Sequence, residues 1–196
     1  MIFTGERVVP DKMRGDTKTL TEHLARYVWA LNFCSDLKVL DAACGTCYGL
    51  HIISAVASEV YGLDISEESL DYAKAHYNFY HKPCVLGVCD FEKTGFINIT
   101  KFKKFDVILS FETIEHLADP YPFLKNVRSS LVVDGLFIFS IPNTNPSPFH
   151  KQIYDFDRAR ELIAKYFNDV SWYGQDNMYI GACTPEKTFF IGLARN

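Results

Sequence analysis

An α/β domain, built on a mostly parallel sheet with helices on both faces, is the fold class this sequence predicts. Three observations predict it. Short apolar runs rich in β-type residues alternate with segments whose apolar residues recur at helical spacing. The length of 196 residues suits one domain better than two. Apolar residues make up 48% and charged residues 22%, which is enough apolar surface for a core and too little charge for a disordered chain.

The elements follow in order. Residues 1–17 read as irregular and polar, broken by Gly5, Pro10 and Gly15. Leu20, Leu24, Tyr27, Val28 and Leu31 place a helix over 18–33. The first strand is LKVLDAA (37–43), a short apolar run that ends in a turn. Residues 47–58 read as a helix with Leu50, Ile53 and Ala57 on one face, and 59–64 as the second strand. Ser66 is expected to cap the next helix, with Glu67 and Glu68 in its first turn favoured by the helix dipole. The third and fourth strands are 83–90 and 105–110. Asp119 at the cap and Pro120 at the first helical position start a helix that turns Phe123, Val127 and Leu131 inward. The fifth strand is 136–142, followed by a loop from Pro142 to Pro148. Asp157 is expected to cap a helix running to Tyr166. Residues 169–175 and 187–194 are two closing strands; with no helix between them they must pair antiparallel, because a parallel return needs a crossover.

Charge excludes some partners. Lys plus Arg is 20 and Asp plus Glu is 24, a net charge of −4. A duplex-binding protein carries a basic stripe. The dense basic cluster, Lys101, Lys103 and Lys104, reads as a solvated turn entering a strand. Arg7, Lys12, Arg14 and Lys18 are interspersed with Glu6, Asp11 and Asp16, so no strong field results. Nucleic acid is therefore not the expected partner. No apolar run reaches the roughly 18 residues of a membrane span, and the opening has no signal-peptide layout. The expected location is the cytoplasm, with all six cysteines reduced. Cys44 and Cys47 form a lone C-x-x-C without the second pair that a zinc site needs.

Open sheets of this kind bind ligands beyond the carboxyl ends of their strands. Function is thus expected at 41–49, 64–66, 90–92 and 110–116. After the first strand the chain reads VLDAACGTCYG (39–49). A dinucleotide loop wants G-x-G-x-x-G, and the frame here reads Ala43, Gly45, Tyr48. Asp41 would repel a pyrophosphate and suits a cationic α-amino group instead. Asp64 ends the second strand, at about the spacing of a ribose-binding acid. Asp90 ends the third and is placed to accept from an adenine amine, with Phe91 beside it to flank the base. One small molecule has all three features: S-adenosylmethionine.

These segments resemble the class I S-adenosylmethionine-dependent methyltransferases over nearly the whole chain. VLDAACGTCYG resembles the family's first motif. VYGLDIS (60–66), CDFE (89–92), FDVILSFETIEHLADPY (105–121) and LVVDGLFIFSIPN (131–143) resemble the later ones in their usual order. FTGERVVP (3–10) and EHLARY (22–27) resemble a bacterial subgroup associated with surface-sugar assembly. The resemblance implies a Rossmann-like, seven-stranded sheet of order 3-2-1-4-5-7-6 with the last strand antiparallel. It implies a cofactor-binding domain over 36–196, with residues 1–35 covering the active site. It implies S-adenosylmethionine held by Asp41, Ala43, Cys44, Gly45, Asp64, Ile65, Asp90, Phe91 and Phe111. The implied reaction is methyl transfer to a hydroxyl or amine of a small molecule, a sugar or nucleotide-linked sugar above others. A cofactor-binding protein without turnover, and a quinone, other metabolite or RNA O-methyltransferase, are the alternatives. Cys47 stands where the family has its third glycine, and Val133-Asp134-Gly135 replaces a proline–glycine turn.

Chemistry beyond the cofactor is expected in FETIEH (111–116). Glu112, Glu115 and His116 at i, i+3 and i+4 would share one face of a helical turn. Three readings of His116 stand: the general base, a metal ligand together with Glu112 and Glu115, or a structural residue. His150, in NPSPFHKQ (145–152), is a second candidate base. With little chain after the last strand, the acceptor is expected to lie under the N-terminal segment and the 142–155 loop, with Arg7, His23, Arg26 and Tyr27 lining the cover. Arg7 or Arg26 would suit an acceptor phosphate or carboxylate.

Overall fold

The computed structural model describes residues 8–13, 17–96 and 104–196. Arg7, Arg14, most of FTGERVVP and the cluster at Lys101 and Lys103 lie outside them. The helices are α1 (Thr17–Ala30), α2 (Tyr48–Ile53), α3 (Glu67–His76), α4 (Tyr121–Ser130) and α5 (Phe156–Ala164). The strands are β1 (Lys38–Ala42), β2 (Glu59–Asp64), β3 (Cys84–Val88), β4 (Phe105–Ser110), β5 (Leu131–Pro142), β6 (Asp169–Asp176), β7 (Tyr179–Ala182) and β8 (Phe189–Arg195). They form one sheet of order β3-β2-β1-β4-β5-β8-β6-β7. The first five are mutually parallel, and β8 runs antiparallel to both β5 and β6.

The Rossmann-like α/β architecture is the predicted one, with one addition. An eighth strand, β7, folds back antiparallel on β6 across a two-residue turn at Asn177 and Met178. The two closing strands are therefore neighbours, as expected, but a hairpin separates them in sequence.

Both faces of the sheet are covered, so its strands are apolar on both sides. In β5, Phe137, Phe139 and Ile141 face one core, and Ile138 faces the other. The first core is rich in phenylalanine and closes under α4 and α5, with Phe105, Phe123, Phe167 and Phe190 fully or almost fully buried. The second packs α1 and α2 through Tyr27, Ala30, Leu50 and Ile53 onto Val39, Val107 and Leu109.

Several boundaries shift for local reasons. β5 starts five residues early, at Leu131, and the VDG segment lies inside it as a kink. There Asp134 has φ 60°, and the pairing with β4 jumps from Phe105–Leu131 to Val107–Leu136. Ser66 caps α3 as expected, its hydroxyl accepting from Ser69 N at 3.2 Å. Asp155, not Asp157, caps α5, accepting from Arg158 N at 2.8 Å. Pro120 occupies the cap position of α4, while Asp119 accepts from Tyr121 N at 3.0 Å.

The chain leaves β1 toward β2 and β3 on one side and places β4 and β5 on the other. This reversal opens a crevice at the carboxyl ends of β1 and β4, where such sheets bind ligands. Residues 43–47 and 111–116 border it.

Candidate active site

Between β1 and α2 the backbone alternates through the left-handed region. Ala43 has φ 69°, Gly45 φ 54° and Cys47 φ 59°. The turn is tight enough that Ala43 N and Cys44 N both donate to Leu63 O, at 2.7 and 3.0 Å. Asp64, at the end of β2, fastens it: Gly45 N donates to Oδ2 at 2.8 Å and Ser66 N to Oδ1 at 2.9 Å. Thr46 donates to Val8 O at 2.9 Å, which lays the 8–13 segment over the loop. The six cysteines are free thiols. Cys44 and Cys47 are buried with their Sγ atoms 3.3 Å apart, and burial pushes the Cys44 thiol well above its ordinary pKa.

Asp41 is fully buried. Its Oδ2 accepts from Tyr27 Oη at 3.0 Å, and its Oδ1 has no hydrogen-bond partner. Burial pushes this carboxyl up to about 7; the Tyr27 hydrogen bond opposes the rise and the negative charge of Asp64 adds to it. The Tyr27 ring stands edge-on to Phe111 and Tyr48, at 4.9 and 5.5 Å between centroids. Tyr48 Oη in turn lies 3.0 Å from His23 Nδ1. Burial and the nearby Arg26 charge hold His23 well below the ordinary histidine pKa.

Arg26 is the largest fully buried side chain of the described residues. Its Nη1 donates to Gln175 Oε1 at 2.9 Å and lies 3.8 Å from Glu112 Oε1, and its guanidinium sits 4.6 Å over the Phe189 ring. Gln175 Nε2 donates to Glu22 O at 2.9 Å. One face of EHLARY thus ties α1 to β1, β6 and the loop after β4. His23, Arg26 and Tyr27, expected in the cover, are gathered at this seam. Gln175 carries no signal in the sequence; its role comes only from the register of β6.

The FETIEH segment departs from its expected geometry. Glu112 has φ 52°, and the helical turn after it is a 3-10 turn limited to Ile114–His116. Glu112 therefore does not share a helical face with Glu115 and His116. It bonds Ser140 instead, with its N donating to Ser140 Oγ at 3.0 Å and its Oε1 accepting from the same hydroxyl at 2.7 Å. Glu115 is 1% exposed, and neither carboxylate oxygen has a hydrogen-bond partner. Burial, with the Glu112 charge beside it, pushes this carboxyl well up. His116 Nε2 lies 3.7 Å from Glu115 Oε1, and the His150 ring stands edge-on to His116 at 4.9 Å.

His116 Nδ1 meets Phe149 O at 3.1 Å and His150 Nδ1 meets Asn145 O at 2.7 Å. A carbonyl only accepts, so each Nδ1 carries the hydrogen of that bond. Glu115, His116 and His150 bring one ligand atom each within 4.8 Å of one another, the one such group among the described residues. This group differs from the alternative set of Glu112, Glu115 and His116: His150 is in it and Glu112 is not.

Asp90 sits two residues beyond β3 in its own turn, paired with Lys93 Nζ at 2.8 Å and accepting from Glu92 N at 3.1 Å. These partners hold it below the usual carboxylate range. The structure brings Asp41 and Asp64 to one loop and leaves Asp90 at its own turn. Phe91 packs into the core against Phe96 and Phe123, each at 5.3 Å. Ile65 is largely exposed. Glu92, which no sequence pattern singled out beyond its motif, links three segments: it accepts from Ala118 N at 2.6 Å and from Lys151 Nζ at 2.8 Å. Lys151 N and Gln152 N both donate to Glu115 O, fastening the loop after β5 onto the 3-10 turn.

Comparison with known proteins is consistent with this geometry. The model of a family described as a methyltransferase domain matches residues 34–180. A ubiquinone biosynthesis O-methyltransferase of Bradyrhizobium diazoefficiens is 32% identical over 124 residues, 63% of this chain and 47% of that protein. A probable S-adenosylmethionine-dependent methyltransferase of Mycolicibacterium smegmatis is 29% identical over 171 residues, 82% of this chain and 63% of that protein. The chain thus spans less than two thirds of the length of these relatives. Among solved structures, a TehB-like SAM-dependent methyltransferase from Corynebacterium glutamicum superposes with a TM-score of 0.68 at 19% identity, over 87% of this chain and 85% of that one. At that identity it speaks for the fold.

Proposed function

This chain belongs to the methyltransferase domain family, a family of S-adenosylmethionine-dependent enzymes, and we propose that it methylates a hydroxyl of a small, sugar-like acceptor. The observation that carries the cofactor reading is Asp41. It is a buried carboxylate with one unpartnered oxygen, beside a left-handed loop that Asp64 fastens. A cationic α-amino group at Asp41 Oδ1 would satisfy that oxygen and favour the ionised form. Asp64, held in place by Gly45 N and Ser66 N, is the carboxylate that a ribose hydroxyl would meet. Gly45 and the neighbouring Ala43 and Cys44 allow close approach to the loop, Ile65 and Phe111 border the adenosine, and Asp90 would accept from the adenine amine.

Bound S-adenosylmethionine supplies a methyl group already activated by its sulfonium, so the protein's main work is placement and exclusion of water. His116 takes the acceptor's proton at Nε2, its other nitrogen held by Phe149 O. Held at Asp41 and Asp64, the cofactor would supply its methyl to the acceptor oxygen that His116 has deprotonated, leaving as a neutral thioether. The likeness of EHLARY and FTGERVVP to a surface-sugar subgroup supports a sugar; the name borne by the Bradyrhizobium relative supports a phenolic quinone precursor instead.

A second reading rests on Glu115, His116 and His150. Burying a carboxylate with both oxygens unpartnered costs several kcal/mol unless it is neutralised or finds a cation. A divalent ion there would polarise the acceptor oxygen. One carboxylate and two imidazoles suit zinc or manganese better than magnesium.

The test is conversion of S-adenosylmethionine to S-adenosylhomocysteine over a panel of sugars, nucleotide sugars and phenols. Acceptor-dependent turnover that Asp64→Ala abolishes is expected. Tight S-adenosylhomocysteine binding without turnover on any acceptor would make the chain a binding protein, and no binding at all would refute the proposal. Turnover unchanged by a chelator would exclude the metal reading.

A further inference from the structure

A groove of about 420 Å3 runs beside this site, between the start of α4 and the outer face of α5. Its volume lies in the range of small-molecule pockets, roughly 300–1,000 Å3. Tyr121, Gln152, Tyr154, Arg158, Leu162 and Lys165 form most of its lining. The inner end is Tyr154, 4% exposed. Gln152 ties this end to the 3-10 turn, its N donating to Glu115 O at 3.0 Å and its Nε2 to Ala118 O at 3.0 Å. Gln152 thus joins the groove wall to the turn that carries His116, which itself does not line the groove.

Its charges are arranged in a particular way. Arg158 and Lys165 are seven residues apart at α5, two helical turns, so they share a face about 10 Å apart. Each cation lies over a tyrosine: the Arg158 guanidinium 5.4 Å from the Tyr154 centroid, and Lys165 Nζ 4.6 Å from that of Tyr121. They donate to neutral oxygens, Arg158 to Ile153 O and Lys165 to Tyr121 Oη. Neither makes an ion pair with a carboxylate within 4 Å among the described residues, whereas Lys93, Lys151 and Lys187 each do. Two acids share the wall. Asp119 is committed to Tyr121 N, and Glu161 acts on Lys165 from longer range.

We propose that this groove holds the methyl acceptor by an anionic group, a phosphate ester or a carboxylate, paired with Arg158 and Lys165. The acceptor ring lies beside the exposed Tyr121, and its reacting hydroxyl points along the groove toward Gln152 and the 3-10 turn that carries His116. Charge-assisted pairing to a guanidinium or ammonium is the strong kind of hydrogen bond, and an exposed ring such as that of Tyr121 suits the face of a sugar. The inference rests on the methyltransferase reading and names its substrate class.

Calorimetry on the whole chain tests it with three probes: glucose, glucose 1-phosphate and glucuronate. S-adenosylhomocysteine is titrated separately, so that failure of the groove and failure of the cofactor reading are told apart. At least one anionic probe is expected to bind roughly ten-fold tighter than glucose, and Arg158→Met and Lys165→Met are each expected to weaken that probe several-fold while leaving S-adenosylhomocysteine binding unchanged. Arg158→Lys, which keeps charge and stem, should retain part of the affinity and reports against simple unfolding. Equal affinities for neutral and anionic probes, absence of binding by every anionic probe at millimolar concentration, or binding that survives the double substitution would overturn the proposal.

Discussion

Tyr27 donates to Asp41 Oδ2 at 3.0 Å across the seam between α1 and β1, and this is the one hydrogen bond the Asp41 side chain makes among the described residues. Removing the hydroxyl leaves a buried carboxyl with two unpartnered oxygens. Tyr27→Phe should therefore destabilise the free protein by about 1–3 kcal/mol, the usual penalty for an orphaned buried polar group. It should also raise the Asp41 pKa further, since the hydrogen bond now opposes the effect of burial. Urea denaturation gives the first number. Loss of S-adenosylhomocysteine affinity at neutral pH, recovered in part at higher pH, gives the second.

The raised Asp41 pKa sets a pH dependence with a definite sign. Below about pH 4 both folded and unfolded chains hold this proton. Between there and about 7 only the folded chain holds it, so stability from this group falls as pH rises, by up to about 1.4 kcal/mol per unit. Above about 7 the loss is complete. The difference in stability between the parent and Asp41→Asn should follow this slope, with the variant gaining relative to the parent from pH 4 to 7. A difference independent of pH would show that Asp41 is ionised in the free protein throughout. Binding of a cationic amino group should expel the proton, and calorimetry in buffers of unlike ionisation enthalpy should register release of about half a proton near pH 7.

Gly49 in α2 exists for the Tyr27 ring. A Cβ at this position would lie 2.1 Å from Tyr27 Cζ. Exchanging glycine for alanine inside a helix ordinarily stabilises by up to about 1 kcal/mol. Here the ring cannot give way without leaving Asp41, so overpacking, typically 1–3 kcal/mol, should win and Gly49→Ala should destabilise. The sign should reverse when Tyr27→Ala is already present. Thermal melts of the four proteins in that cycle decide it.

The fold was legible because strands buried on both faces read as continuous apolar runs, and helices show their inner stripe. β7 was not: four residues at the sheet edge, with a glycine among them, carry no alternation to find. Asp155 and Asp157 are equally good caps by composition, and the extended backbone of Asp155 chooses between them. The spacing of Glu112, Glu115 and His116 suggested one helical face, but spacing implies a face only if the backbone is helical, and Glu112 is left-handed. The seam around α1 was visible as residue types and not as partners. Arg26 and Gln175 meet across 149 positions, and no local pattern records such a contact.

Those left-handed positions lead to a last expectation. The loop after β1 needs φ near +60° at 43, 45 and 47, and only position 45 is glycine. An L-residue in this region is strained by about 1–2 kcal/mol. At Ala43 the side chain is a half-buried methyl, so Ala43→Gly loses little packing and should stabilise the chain by about 1 kcal/mol net of the greater freedom of glycine in the unfolded state. At Cys47 the same relief is set against a fully buried thiol in contact with Cys44, worth about as much. Cys47→Gly should therefore be close to neutral, while Cys47→Val, β-branched in the same backbone conformation, should be clearly destabilising. Denaturant midpoints for the three variants test this. A gain at 47 as large as that at 43 would mean the Cys47 thiol contributes nothing to packing, and a loss at 43 would mean the loop does not adopt this conformation in solution.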